Sequence, residues 1–170
     1  MRSILFSLVL LSTLIACGQE DKSKRPSPPA IAKETLNNGT TVSINYSQPA
    51  VKGRTIRKDL EPLPGKVWRT GANEATVFEV DKDVKIESKD LPAGKYGLFT
   101  IANDSDWTII FNKTWDQWGA FDYKEADDAL RVNVKGEKAK DLTERMTFKI
   151  SKDGTVTLLW GNEKLAFKVK

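Results

Sequence analysis

Between Trp68 and Thr76 the chain gathers an aromatic ring, a guanidinium, an amide and a carboxylate, as Trp68-Arg69-Thr70-Gly71-Ala72-Asn73-Glu74-Ala75-Thr76. Arg69 can hold a carboxylate or phosphate through its planar fork, and Asn73 can orient a polar ligand. Gly71 permits a tight turn and close approach of a ligand. The same residues also suit a loop that satisfies its own backbone with Trp68 in the core. A second candidate runs from Asn112 to Tyr123, where Trp115, Trp118, Phe121 and Tyr123 follow the strand residues Trp107 and Phe111. Exposed indole faces beside Asn112, Asp116, Gln117 and Asp122 would suit a sugar, through apolar stacking and side-chain hydrogen bonds. Rings buried beneath a pinned loop are the alternative.

The chain contains no histidine. Catalysis of the Ser-His-Asp and Cys-His kind is therefore excluded in its usual form, as are the common imidazole-based zinc and iron sites. Acid–base work falls to carboxylates, lysine or tyrosine. Glu74 and Asp122 are the pair that a glycan hydrolase would use, provided they face one cleft roughly 5–9.5 Å apart. Asp122, Glu125, Asp127 and Asp128 match no EF-hand spacing, and no cofactor motif is present, so neither metal nor cofactor is expected. Lys52, Arg54, Arg57, Lys58, Lys66 and Arg69 form a basic stretch that could meet lipid phosphate or an anionic glycan, or simply face water. The formal charge of the whole chain is only +4 and is spread along it, which argues against nucleic acid as a partner.

Short alternating runs position these residues. Val42, Ile44 and Tyr46; Trp107, Ile109 and Phe111; Leu130, Val132 and Val134; and Met146, Phe148 and Ile150 each read as a strand with one buried face. Val156, Leu158 and Trp160, then Leu165, Phe167 and Val169, complete the series. Asn38-Gly39, Asp153-Gly154 and Gly161-Asn162 suit tight turns, so the last thirty residues or so read as a three-stranded meander. Tyr96, two residues after Gly94, has the placement of a tyrosine corner. Glu125–Leu130 is at most a turn or two of helix. The expected fold is all-β: an antiparallel β-sandwich, Greek-key or jelly-roll-like, forming a single domain over residues 31–170.

Ahead of it, Arg2 and the apolar run Ile4–Leu11 read as a secretory leader of residues 1–16, too short to span a bilayer as a helix. Leu14-Ile15-Ala16-Cys17 resembles the lipobox of bacterial lipoproteins, which implies acylation of Cys17 and anchoring by more than one chain. Cys17 is the only cysteine, so no disulfide is expected. Residues 17–30 are polar and rich in Ser, Pro and charge, as expected of a lipidated, flexible tether. Gly18 follows the cysteine in place of the aspartate associated with inner-membrane retention, so the expected address is the outer membrane, facing periplasm or surface.

Three further blocks, Tyr46-Ser47-Gln48-Pro49 with Lys52-Gly53-Arg54, the Trp68–Thr76 stretch, and Leu91-Pro92-Ala93-Gly94-Lys95-Tyr96, occur in an order that resembles the bacterial family catalogued as domain of unknown function 2911. Trp107–Asn112, Gln117-Trp118-Gly119 and Leu130-Arg131-Val132 continue the likeness over nearly the whole chain after the tether. Between Arg57 and Pro64 the chain lacks the glycine- and aromatic-containing loop associated with that family. The resemblance implies an exported, often lipid-anchored β domain without an assigned activity. The functional expectation is an envelope protein that binds a small polar or glycan ligand, or a protein partner, at one end of the sandwich through Arg54, Arg69, Asn73, Glu74, Asn112, Trp118 and Asp122. A carboxylate-dependent hydrolase and a structural or assembly module are the alternatives.

Overall fold

The computed structural model describes residues 21–170; the leader and Cys17 lie outside the described residues. Alternation makes the first hairpin. β1 (Pro29–Thr35) pairs antiparallel with β2 (Thr41–Ser47) across the Asn38-Gly39 turn, and Val42, Ile44 and Tyr46 of β2 point inward as their spacing predicts. The chain then contributes β3 (Val67–Trp68), β4 (Thr76–Val80), a small β5–β6 hairpin (Val84–Ile86 and Lys89–Leu91), β7 (Gly94–Asn103), β8 (Asp106–Asn112), β9 (Asp128–Ile150) and β10 (Thr155–Lys168). The main antiparallel sheet runs β1-β2-β4-β7-β8-β9-β10, with β3 added to β7; β5 and β6 form a second sheet of two strands. The fold is the expected all-β antiparallel architecture.

The main sheet curls. Residues 49–51, just beyond β2, return to β9 through Val51 N–H to Glu144 O (2.9 Å) and Met146 N–H to Pro49 O (3.0 Å). At the other end Lys85 and Lys170 exchange backbone hydrogen bonds of 2.8 and 2.9 Å, tying β5 to the chain terminus. The enclosed core contains Phe78, Phe111 and Phe167, with Phe78 and Phe111 edge-to-face at 4.9 Å, and Trp68 stacked on Trp160 at 5.6 Å. Rings at these separations gain attraction beyond the area they bury. Tyr96 makes the predicted corner: its hydroxyl donates to Pro92 O at 2.9 Å.

The end of the chain departs from the expected meander. Residues 130–134 and 146–150 belong to one 23-residue strand, β9, and residues 155–168 to one strand, β10, so the two form a long bent hairpin. Gly161 is no reversal. At φ 55° it sits within β10 at a register shift against β9, a conformation that costs glycine little. The shift explains a change of phase in the sequence, because inward residues fall at 156, 158 and 160 before it and at 165, 167 and 169 after it. A turn and a bulge give the same glycine signal, and only pairing distinguishes them.

Candidate functional site

The loop after β8 folds back over the outer face of the sheet. On that face Phe99 of β7 and Ile110 of β8 are opposite each other, and with Ala75 they form a small second core, joined by Val67, Ile101, Ala120 and Tyr123. Polar groups fasten the loop from beneath. Buried Asn112 donates to Lys124 O (2.9 Å) and Asp128 Oδ1 (2.7 Å), and its own oxygen accepts from Thr114 N–H (2.9 Å). Arg131 Nε meets Asp128 Oδ2 at 2.5 Å, while the Tyr123 hydroxyl donates to the same oxygen at 2.9 Å and accepts from Arg131 at 2.5 Å. Burial, reinforced by its bond to Asp128, pushes the Tyr123 hydroxyl up to about 12. Gln117 is also buried and donates to Thr114 O at 2.6 Å.

The upper side of the same loop is apolar and open. Trp115, Trp118 and Phe121 are 37%, 54% and 82% exposed, so the aromatic stretch divides into buried strand rings, Trp107 and Phe111, and outward loop rings. Lys95 Nζ lies 5.4 Å from the Trp115 ring centre and the Arg25 guanidinium 5.9 Å from that of Trp118, both within cation–π range.

Residues 21–28 cross beside this loop as a strap. Glu74, which pairs with Trp118 in an isolated antiparallel bridge, accepts from Lys22 at 2.8 Å and from Arg25 at 3.0 and 3.1 Å. Asn73, in a left-handed conformation at φ 59°, donates to Ser27 O (3.0 Å) and Ser47 Oγ (3.2 Å), and its carbonyl accepts from Gly119 N–H. Gln48 N–H bonds Pro28 O at 2.9 Å, fixing the strap against the end of β2. Between strap and sheet lies a cleft of about 190 Å³ lined by Lys22, Arg25, Asn45, Ser47 and Glu74, with Pro29, Ala75 and Val77 as its apolar lining.

The Trp68–Thr76 block is largely turned in on itself. Trp68 donates to Gly71 O at 3.1 Å, Thr70 Oγ1 to Thr100 Oγ1 at 3.1 Å, and Thr76 Oγ1 to Thr70 O at 2.8 Å. What it offers outward is Glu74 to the strap and Arg69 to the outer face. Arg69 Nε is buried without a partner, and burial lowers the pKa of its guanidinium against the opposing charge of Glu61. Of the residues expected to act together, Asn73, Glu74 and Trp118 do meet, and Arg69 reaches Gly119 from below, one guanidinium nitrogen being 3.8 Å from where a β-carbon would stand. Asn112 is spent beneath the loop and Asp122 sits exposed on it. Arg54 stands apart: it donates to Ala50 O and Val51 O and lines another depression with Lys138, Leu142 and Asn162. Arg57 of the basic stretch lies 5.1 Å over the Trp107 ring and pairs with Glu163 at 3.2 Å.

Partial burial pushes the Glu74 carboxyl up, yet hydrogen bonds from Lys22, its own backbone and Arg25 outweigh this and hold it at about 2. A carboxyl so depressed is ionised at neutral pH, which does not suit the general-acid role in a hydrolase. Because its folded pKa lies below the unfolded value, the strap contacts contribute stability above about pH 4.5, and this is lost as pH falls toward 2. Glu74 is 39% exposed, so solvent screening keeps the contribution below about 1 kcal/mol. Glu74→Gln is expected to remove this part of the acid dependence, read as amide exchange of residues 21–28 between pH 5 and 2; exchange with an unchanged pH profile would contradict the pairing.

Sequence reasoning passed over Lys22, Arg25, Asn45 and Ser47, and over Tyr123, Asp128 and Arg131 as one network. Among the described residues no group of three or more His, Cys, Asp or Glu could hold a metal ion, and no helix is long and apolar enough to cross a membrane. A family model described as a protein of unknown function, DUF2911, matches residues 27–169. No curated protein and no solved structure matches the chain.

Proposed function

This chain belongs to the DUF2911 family, and we propose for it the role of a lipid-anchored envelope protein that binds a small polar or glycan ligand in the cleft between the strap and β2. The observation that carries the reading is the cleft's lining. Asn45 and Ser47 supply hydrogen-bonding groups, Glu74 and the strap cations supply both charges, and Pro29 and Val77 give an apolar wall. Such a mixture of apolar walls and few polar groups is what fixes small ligands. At about 190 Å³ the cleft is below the ~300 Å³ of the smallest drug-sized sites, which suits a single sugar or amino acid. The proposed anchoring rests on the resemblance of Leu14-Ile15-Ala16-Cys17 to a lipobox.

The test is thermal unfolding of the mature chain with a panel of envelope monosaccharides, amino sugars and amino acids. Binding to the native state alone is expected to add about 2.7 kcal/mol at a hundredfold excess over Kd. Asn45→Ala and Glu74→Gln are expected to abolish this shift, whereas Arg54→Ala, in its separate depression, keeps it. A panel without any saturable shift, on protein that unfolds cooperatively, would refute the reading and favour a structural module.

A further inference from the structure

We propose that the loop bearing Trp115, Trp118 and Phe121 rests in the interfacial layer of the bilayer that carries the Cys17 lipid, so that the strap cleft opens at the membrane surface. The inference uses the anchoring at Cys17 and is independent of what the cleft binds. The distance bound comes from the chain itself. From Cys17 to Lys22 is five residues, which span at most about 18 Å even when fully extended. Lys22 is fixed in turn, with its ammonium 2.8 Å from Glu74, the ladder partner of Trp118. A domain of this length is roughly 40 Å across on the usual size scaling. A leash of that length does not reach around such a body. The lipid must therefore leave from the strap side, and the strap side bears the aromatic loop.

What the loop presents there fits an interface. Tryptophan is enriched where hydrocarbon meets headgroups, since its ring is apolar and its N–H polar. Phe121, 82% exposed, has no comparable reason to face bulk water. The loop is also held in advance by Asn112, Gln117 and Asp128, so little ordering is lost on contact. Charge contributes less. Lys22, Lys24 and Arg25 of the strap are offset by Asp21 and Glu74, and Lys113 and Lys124 of the loop by Asp116 and Asp122. Association is therefore expected to depend on the rings and only weakly on salt or on the fraction of anionic lipid.

The experiment uses the mature, acylated protein in phosphatidylethanolamine–phosphatidylglycerol vesicles containing lipids brominated near the headgroup. Trp68, Trp107 and Trp160 are 2–3% exposed inside the sheet, so quenching by bromine reports Trp115 and Trp118. Quenching is expected in the parent protein and lost in the Trp115→Phe, Trp118→Phe double variant, whose mild substitutions preserve the loop. In the unacylated Cys17→Ser chain, Phe121→Ser is expected to weaken partitioning to the same vesicles about tenfold. A mass measurement on the same sample reports acylation. Acylated, vesicle-bound protein without quenching would overturn the docking and leave anchoring intact. Cys17 found unmodified would overturn both, because the leash is then not attached. Protection of the two indoles by soluble glycan fragments, in place of quenching by lipid, would assign the loop to a glycan and overturn the proposal as well.

Discussion

Asp128→Ala is expected to lower the unfolding free energy by about 2–4 kcal/mol, more than any change to an exposed residue of the loop. The side chain of Asp128 is 8% exposed and accepts from Asn112, Tyr123 and Arg131. Its removal leaves the Asn112 amide, which is fully buried, and the Tyr123 hydroxyl each with one partner fewer, while Arg131, 32% exposed, keeps Glu125 at 3.2 Å as its anion. A buried donor left unpaired costs its desolvation outright, which exceeds the net worth of a made bond. The same loss should loosen residues 113–127, since Asn112 and Asp128 close that loop at its two ends. Denaturant unfolding measures the first effect and amide exchange the second. A loss below about 0.5 kcal/mol would mean that the network is not what fastens the loop.

The second large effect is expected at the turn between β9 and β10. Gly154 has φ 85°, and a β-carbon there would stand 1.9 Å from Val169 O, a backbone atom that cannot rotate aside. Gly154 O also accepts from Val169 N–H at 2.8 Å, so any shift breaks the contact that seats the chain terminus. Left-handed backbone costs a residue with a β-carbon roughly 1–2 kcal/mol, and the overlap adds a comparable amount, giving about 3 kcal/mol for Gly154→Ala. The terminus pairs with Lys85, so β5 and β6 should lose exchange protection with it. Gly39→Ala is the control. Its φ is 77°, but the nearest atom to a β-carbon is the flexible Lys82 Nζ at 3.4 Å, and a loss of only about 1 kcal/mol is expected. Equal losses at the two glycines, read from chemical denaturation, would show that the overlap with Val169 is unimportant.

Strand positions were legible because burial on one face leaves a period of two. Val42–Tyr46, Trp107–Phe111 and Val156–Trp160 each fall where their alternation places them. Continuity was not legible. β9 joins two alternating runs through a stretch, residues 135–145, whose polar side chains look like a loop although the strand continues through it, with shifts of register against β10 between Lys138 and Thr147. The site divides in the same way. Trp118 and Phe121 could be singled out because so many aromatics crowd one segment, and Glu74 because it stands in a dense polar block. The strap could not be found that way: Lys22 and Arg25 lie in a polar, Ser- and Pro-containing segment whose composition signals a tether, and only their meeting with Glu74, about fifty residues on, reveals a wall of a cleft. Asn112 shows the opposite limit. An asparagine beside tryptophans reads as a ligand contact, yet it is completely buried and committed to the loop's own backbone and Asp128.

The arrangement accounts for an otherwise odd combination: polar and charged groups gathered at one end of the sheet, and large apolar rings left in water beside them. A cleft walled by the strap, with aromatic rings at its side, fits the proposed capture of something small close to a membrane. Glu74, held ionised by two cations, fits the proposed recognition better than a general-acid role.

The most direct measurement is chemical-shift mapping of the uniformly labelled mature chain, carrying Cys17→Ser for solubility, titrated with envelope amino sugars, monosaccharides and amino acids. Saturable shifts are expected, concentrated at Asn45, Ser47 and Glu74 and at the strap residues Lys22 and Arg25, with Arg54 and its surroundings unmoved. Saturable shifts centred elsewhere, or none from any compound while the spectrum remains that of a folded β protein, would contradict the proposed binding.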